Sequence, residues 1–366
     1  MSASSPLPAA ADVLSAPIPW IEAETIAPAD AGSPEARVLF ARRVTRRNFA
    51  GFPFWVSCPP ETCARLAEKA REHAAARGLG EGVPLAELAA RDPRAIGVLR
   101  ERMRLPERPG AFAGKRDFKR LFTGGDPAEH ILFGEAEHWI RLRVFPSLSA
   151  ATDVGSEDDE AAFARAETWG WLTSDPVFAG PGEQFEAGLH LPALAATGRV
   201  AQAQWAMDAL GHALYPLSLR NPGAAEAGFF RLLSGGALGA TREEEARRFD
   251  DAARALLAAE SEAWERWIAR EPNALDDRMH RALRLLQEAR RMDYAELLFL
   301  SSFARAGAYA GVFHASLLPR LEELRIRALP HHLGPEGPET GDPEAENLRR
   351  AATARTLLQG ALLRDA

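Results

Sequence analysis

The chain has 366 residues, 46% of them hydrophobic and 26% charged, with a formal net charge of -7. That length allows two domains and a sizeable core. The acidic balance excludes a basic nucleic-acid footprint over the whole chain.

Residues 1–18 are rich in Pro and Ala and lack both a basic n-region and an apolar run. They read as a disordered leader rather than a signal peptide. Cys58 and Cys63 stand in CPPETC, which is neither CxxC nor part of a four-ligand set. No structural zinc is expected, and two free thiols fit a reducing, cytoplasmic setting. Pro59 and Pro60 open a helix, ETCARLAEKAREHAAARG, that Gly78 closes. A second helical stretch runs from about Pro84 to Met103.

From Ile131 to Phe145 the pattern alternates. Trp139, Arg141 and Arg143 fall on one face, and Ile140, Leu142 and Val144 on the other, as in a strand. Segment 150–167 is acidic and Ala-rich, a helix or a helix-flanking loop. Strands and loops dominate 168–240. Within them Trp169–Leu194, WGWLTSDPVFAGPGEQFEAGLHLPAL, reads as a strand, a polar loop able to wrap a ligand, and a buried return.

At Thr241 the character changes. TREE is a capping box, with Glu244 reaching back to Thr241. Phe249, Ala253, Leu256, Leu257, Trp264, Trp267 and Ile268 then recur at helical spacing, as a core-packing stripe. Asn273 is expected to cap a second helix, and Asp293 with Glu296 to open a third. The apolar window 297–318 carries Arg305 and His314, so it reads as a buried helix and no membrane span is expected. Segment 329–342 reads as a Pro/Gly linker whose His331-His332 pair is solvated rather than metal-binding. Asp342-Pro343 starts a final helix. The expected division is a leader (1–18), a core (19–240), a helical C-terminal subdomain (241–328), and a linker with a terminal helix (329–366).

Five segments, taken together, resemble the guanidino (phosphagen) kinases, and within them the bacterial protein-arginine kinases. Residues 19–54 are similar to the family's Pro-Trp-Met lead and its Ser-Ser-Arg-x-Arg-Leu-Ala-Arg-Asn segment. GEAEHWIRLRVFPS (134–147) resembles the Asn-Glu-Glu-Asp-His-x-Arg strand. LTSDPVFAGPGEQFEAGLHLPAL (172–194) resembles the family's Cys- and Arg-bearing loop and the His-Leu-Pro-Ala-Leu after it. GGALGATREEE (235–245) and residues 275–313 resemble the end of the kinase core and the helical region beyond. The fold this implies is α+β, an antiparallel sheet flanked by helices with a helical C-terminal region.

The resemblance implies transfer of the γ-phosphoryl group of MgATP to a guanidinium nitrogen, a reaction that rests on positioning and charge stabilisation. It needs Arg forks on the phosphates and a carboxylate on the guanidinium, and many members add a Cys. Arg42 matches the first arginine of Arg-x-Arg, and the second falls on Val44, with Arg43, Arg46 and Arg47 close by. Glu135, Ala136, Glu137 and His138 match Glu-Glu-Asp-His, so the catalytic glutamate falls on Ala136 and Glu135 is its substitute candidate. The strand arginine falls on Ile140. Its neighbour Arg141 replaces it only if a bulge re-aims the side chain. The family Cys falls on Asp175 and the loop arginine on Gln184. A later Gly-Glu-Gly-Ser-Glu loop is replaced by 217–230, with Arg220 and Glu226.

Arg42, Arg43 and Arg141 are therefore the nucleotide-binding candidates, and no metal ligands are assigned. The framework positions Trp20, Asn48, Pro53, His138, Leu189, His190 and Pro192 match, with His190 read as a core histidine. Loss of one charge-stabilising group costs about 3 kcal/mol of transition-state stabilisation. The leading expectation is thus a pseudokinase with a binding or regulatory role. One alternative is an active, MgATP-dependent protein-arginine kinase in which Arg43, Arg46, Arg141 and Arg143 replace the missing forks. Another is an interaction module for phosphoarginine, for arginine-containing proteins or for a protease-adaptor system. Self-association as a homo-oligomer stays open.

Overall fold

The computed structural model describes residues 18, 21, 31–105, 118–123, 129–155, 160–218, 223–334 and 342–360. The expected leader before residue 18, Trp20 and Arg220 lie outside the described residues. The centre of the fold is an eight-stranded sheet. Its strands are β1 (Val38–Arg47), β2 (Val83–Pro84), β3 (Arg120–Thr123), β4 (Glu129–Phe133), β5 (Trp139–Phe145), β8 (Glu183–His190), β9 (His212–Pro216) and β10 (Phe229–Ser234). They lie in the order β2-β3-β4-β5-β1-β8-β10-β9, and every pairing is antiparallel. β6 (Arg165–Ala166) and β7 (Gly170–Trp171) form a separate ribbon.

Side chains alternate across a strand, so the register sorts residues onto two faces. On one face Ala41, Phe145, Phe185, Ala187, Leu214, Phe230 and Leu232 join the largest core cluster. That cluster also takes Phe249, Leu256, Leu257, Trp264 and Trp267 from the long helix Arg242–Arg270. Farther along the same face, Phe122, Ile131, Phe133 and Trp139 pack with Leu66 and Ala70 of α1 (Pro60–Ala76). This is the helix-backed face.

The opposite face carries Val44, Leu121, Leu132, Ile140 and Leu142. It is covered by Leu88, Ala95, Val98, Leu99 and Leu105, from α2 (Leu85–Arg91), α3 (Ala95–Glu101) and the residues after them. We call residues 85–105 the cap. The 84–103 stretch is thus not one helix. Pro93 disfavours helical backbone in the residue before it, and Asp92 is extended (φ -143°, ψ 113°).

The C-terminal helices begin where local chemistry places them. Thr241 accepts from the Glu244 N–H while the Glu244 carboxylate accepts from the Thr241 N–H. Asp293 and Asp342 cap the helices Tyr294–Tyr309 and Pro343–Leu358. Thr241→Ala is expected to cost about 1 kcal/mol, read from the urea midpoint. Asn273 is no cap, because helix Pro272–Glu288 starts one residue earlier, on a Pro that needs no N–H partner there. The stretch read as a linker begins with a short helix, Pro330–Leu333, and 335–341 lie outside the described residues. Among the described residues no helix is long and apolar enough to cross a membrane.

The sheet's two edges differ. β2 is two residues long and contains Pro84. β9 is flanked by helix Val200–Ala209, from which Gln204 Nε2 donates to the Leu214 carbonyl at 3.0 Å.

Candidate functional site

β1 runs between β5 and β8, with Val44 opposite Leu142 on one side and Gln184 on the other. Arg46 stands opposite Ile140, and Arg42 opposite Val144 and Glu186. Arg42, Val44, Arg46, Ile140, Gln184 and Glu186 therefore share the cap face. Four of these, Arg42, Val44, Ile140 and Gln184, are positions that the resemblance singled out.

Arg43, Arg141 and Arg143 point the other way. β5 keeps continuous register with β1 from Trp139 to Phe145, so no bulge re-aims Arg141. Its Nε donates to Glu129 Oε2 at 2.7 Å. Arg43 Nη1 donates to the Asp153 carbonyl at 2.9 Å, and Arg43 and Arg143 both lie about 5 Å from the Phe145 ring centre (5.1 and 5.0 Å). Of the three nucleotide-binding candidates, only Arg42 reaches the cap face.

Arg42 is already engaged. Its Nε donates to Glu186 Oε2 at 3.0 Å, its Nη2 donates to the same oxygen, and its Nη1 donates to the Met103 carbonyl of the cap at 3.1 Å. Arg231 Nε lies 3.1 Å from the other Glu186 oxygen. Burial alone would raise the Glu186 carboxyl, but Arg231 and Arg42 outweigh it and hold the group below its ordinary value. Glu186 thus takes the charge-assisted bonds that an external oxyanion would take.

Arg46 is the third cation on this face, after Arg42 and Arg231. Its Nη2 donates to Gln184 Oε1 at 2.8 Å and its guanidinium lies 3.9 Å from the Phe178 ring centre. Its Nη1 is buried without a hydrogen-bond partner. Burial pushes Arg46 down to about 10 against the pull of Glu137, and Arg42 lowers it further. The signal for Arg46 was its even spacing from Arg42. Glu186 and Arg231 carried no such signal.

The loop Trp171–Gly180 is held by a carboxylate. Glu137 is fully buried and accepts from Asn48 Nδ2 (2.5 Å) and twice from the Ser174 N–H (2.8 and 2.9 Å). Asn48 returns the contact by accepting from the His138 N–H at 3.0 Å. His138 Nδ1 accepts from the Phe49 N–H and its Nε2 lies 2.9 Å from the Pro53 carbonyl, which places the ring proton on Nε2. This retained framework is structural.

Asp175 is exposed and caps the 3-10 turn Pro176–Phe178 by accepting from the Val177 N–H. Glu135 is buried and accepts from Lys119 Nζ at 2.5 Å, while Ala136 is half-buried beside it. Glu226 is exposed on the short helix Gly223–Glu226. His190 lies between Tyr309 Oη (3.1 Å) and Ser302 Oγ (2.8 Å), stacked on Phe229. Burial holds it well below its ordinary value, so it is a neutral core histidine. His331 and His332 are not a solvated pair. Both donate to Glu101, and the His332 side chain is only 3% exposed. Among the described residues no group of three or more His, Cys, Asp or Glu is arranged to hold a metal ion.

Residues 272–364 match the family model of the protein-arginine kinase McsB C-terminal domain. The chain is 29% identical over 249 residues to the protein-arginine kinase of Symbiobacterium thermophilum, covering 66% of this chain and 70% of that one. To the protein-arginine kinase of Moorella thermoacetica it is 27% identical over 347 residues, covering 90% of this chain and 97% of that one. Among solved structures, the duplicated taurocyamine kinase from Schistosoma mansoni with bound transition-state-analogue components aligns at 17% identity and a TM-score of 0.49. That alignment covers 67% of this chain and 36% of that one. Relatives matched along nearly its full length and a family model matched across its C-terminal helices support a guanidino kinase family member close to the bacterial protein-arginine kinases.

Proposed function

We propose that the chain is a guanidino kinase-fold pseudokinase whose role is binding or regulation rather than efficient phosphoryl transfer. The observation that carries this reading is the apolar floor on the cap face. Val44 and Ile140, where the family resemblance implies phosphate-binding arginines, pack with Leu142 under the cap. The remaining matched arginine, Arg42, is spent on Glu186 and Met103. With Arg42 and Arg231 on Glu186 and Arg46 on Gln184, the face does not offer the several free forks that a triphosphate needs. The retained fold would then serve partners, and arginine-containing proteins are the class the resemblance suggests.

Titration of the full chain with MgATP tests this. No saturable heat into the millimolar range is expected, and a low-micromolar Kd would overturn the reading. A second reading, an active protein-arginine kinase with a shifted site, is favoured by Arg46. It stands two residues along the same face from Val44 and has an unpartnered nitrogen. Incubation with labelled ATP and an arginine-rich protein separates the two, since acid-labile phosphoarginine forms only under the second.

A further inference from the structure

The cap is tied down from about 230 residues away in sequence. Glu101, the last residue of α3, accepts three hydrogen bonds from the segment Pro330–Leu333. These come from the His331 backbone N–H (3.0 Å), His331 Nδ1 (2.7 Å) and His332 Nδ1 (2.7 Å). Arg102 Nε donates to His332 Nε2 at 3.1 Å, and Arg94 Nη1 donates to the Gly334 carbonyl at 3.1 Å. The His331 ring lies against Gly97, where an added Cβ would stand 1.9 Å from its Cδ2. Only a residue without a side chain fits beneath that ring.

We propose that Glu101, His331 and His332 form a proton-sensitive latch by which the C-terminal region holds the cap on the sheet. With Nδ1–H given to Glu101 and Nε2 accepting from Arg102, His332 is neutral. A second proton can go only on Nε2, where it would meet the Arg102 N–H head-on. Uptake therefore breaks that bond. Burial holds His332 below its ordinary 6.5, against the pull of Glu101, with Arg102 and Arg327 adding to the effect. Burial would raise Glu101, but the two histidine bonds outweigh it and keep the carboxylate charged.

The other groups facing the cluster are Arg94 and Arg104 from the cap, Glu323 beside Arg327 on helix Leu317–Arg327, and Tyr294. Cations outnumber Glu323, so a second positive charge is disfavoured. His130 of β4, near Arg104, is pushed by burial to about 3 and does not titrate in this range. The folded form thus favours neutral His332, so the latch is closed at neutral pH. It loosens as pH falls below about 6.5. The latch does not depend on whether the chain transfers phosphate.

Hydrogen exchange on the full chain tests the proposal, comparing pH about 7.5 with pH about 5.5 after correction for intrinsic rates. Amides of 88–102 in the wild type are expected to exchange about tenfold faster at the lower pH, with β8 and β10 unchanged. Gly97→Ala, which evicts His331 without changing charge, should give the same rise at neutral pH. His332→Asn should make cap exchange independent of pH. His331→Asn serves in place of Gly97→Ala if that variant does not fold. An unchanged wild-type cap, a pH response retained in His332→Asn, or equal acceleration in β8 would each overturn the latch.

Discussion

Replacing Glu137 by alanine is expected to destabilise the protein by about 3–5 kcal/mol, among the largest effects of any single change. The carboxylate is 0% exposed and satisfies Asn48 and the Ser174 N–H at once. Its loss leaves the Ser174 N–H at the root of the loop without an acceptor and Asn48 Nδ2 with only the Leu172 carbonyl, and it takes away a negative charge near Arg46. The urea midpoint measures the cost. A loss below about 1 kcal/mol would mean that water replaces the carboxylate, and that this contact does not hold the loop.

Restoring a family-like arginine at the floor is expected to be nearly as damaging. Ile140→Arg places a guanidinium where Ile140 is 3% exposed among Val44, Leu132, Leu142 and the cap leucines. It also stands opposite Arg46, which burial has already pushed down to about 10. Burying a second unpaired cation there should cost about 3–5 kcal/mol, whereas Ile140→Val should cost about 1. The pair of variants, compared by chemical denaturation, separates a packed floor from a wet cleft. Near-equal stabilities would show that the cap lifts readily and the face is open to solvent.

These two sites also show where sequence reading succeeds and stops. Local chemistry was legible. Thr241 with Glu244, Asp293 and Asp342 act through partners two or three residues away, and all start helices as expected. The Asp92-Pro93 break was visible too, yet the apolar spacing on either side masked it. Family matching picked Arg42, Val44, Ile140 and Gln184, and the sheet register brings all four to one face. What was hidden is parity and distance. Arg43 and Arg141 differ from useful cations by one residue, which on a strand means the opposite face. Glu186 lies 144 residues from Arg42, and His331 lies 230 from Glu101, so neither pairing leaves a local trace.

The sheet's margins bear on how copies of this chain meet. A long naked margin invites a neighbour's strand to extend the ladder. Here one margin is a two-residue stub containing a proline, and the other has a side-chain amide seated on the Leu214 carbonyl. Growth by strand addition is therefore blunted at both ends. Association between copies, where it occurs, would rest on side-chain surfaces, and the outermost of these beside β9 presents Trp205, 77% exposed.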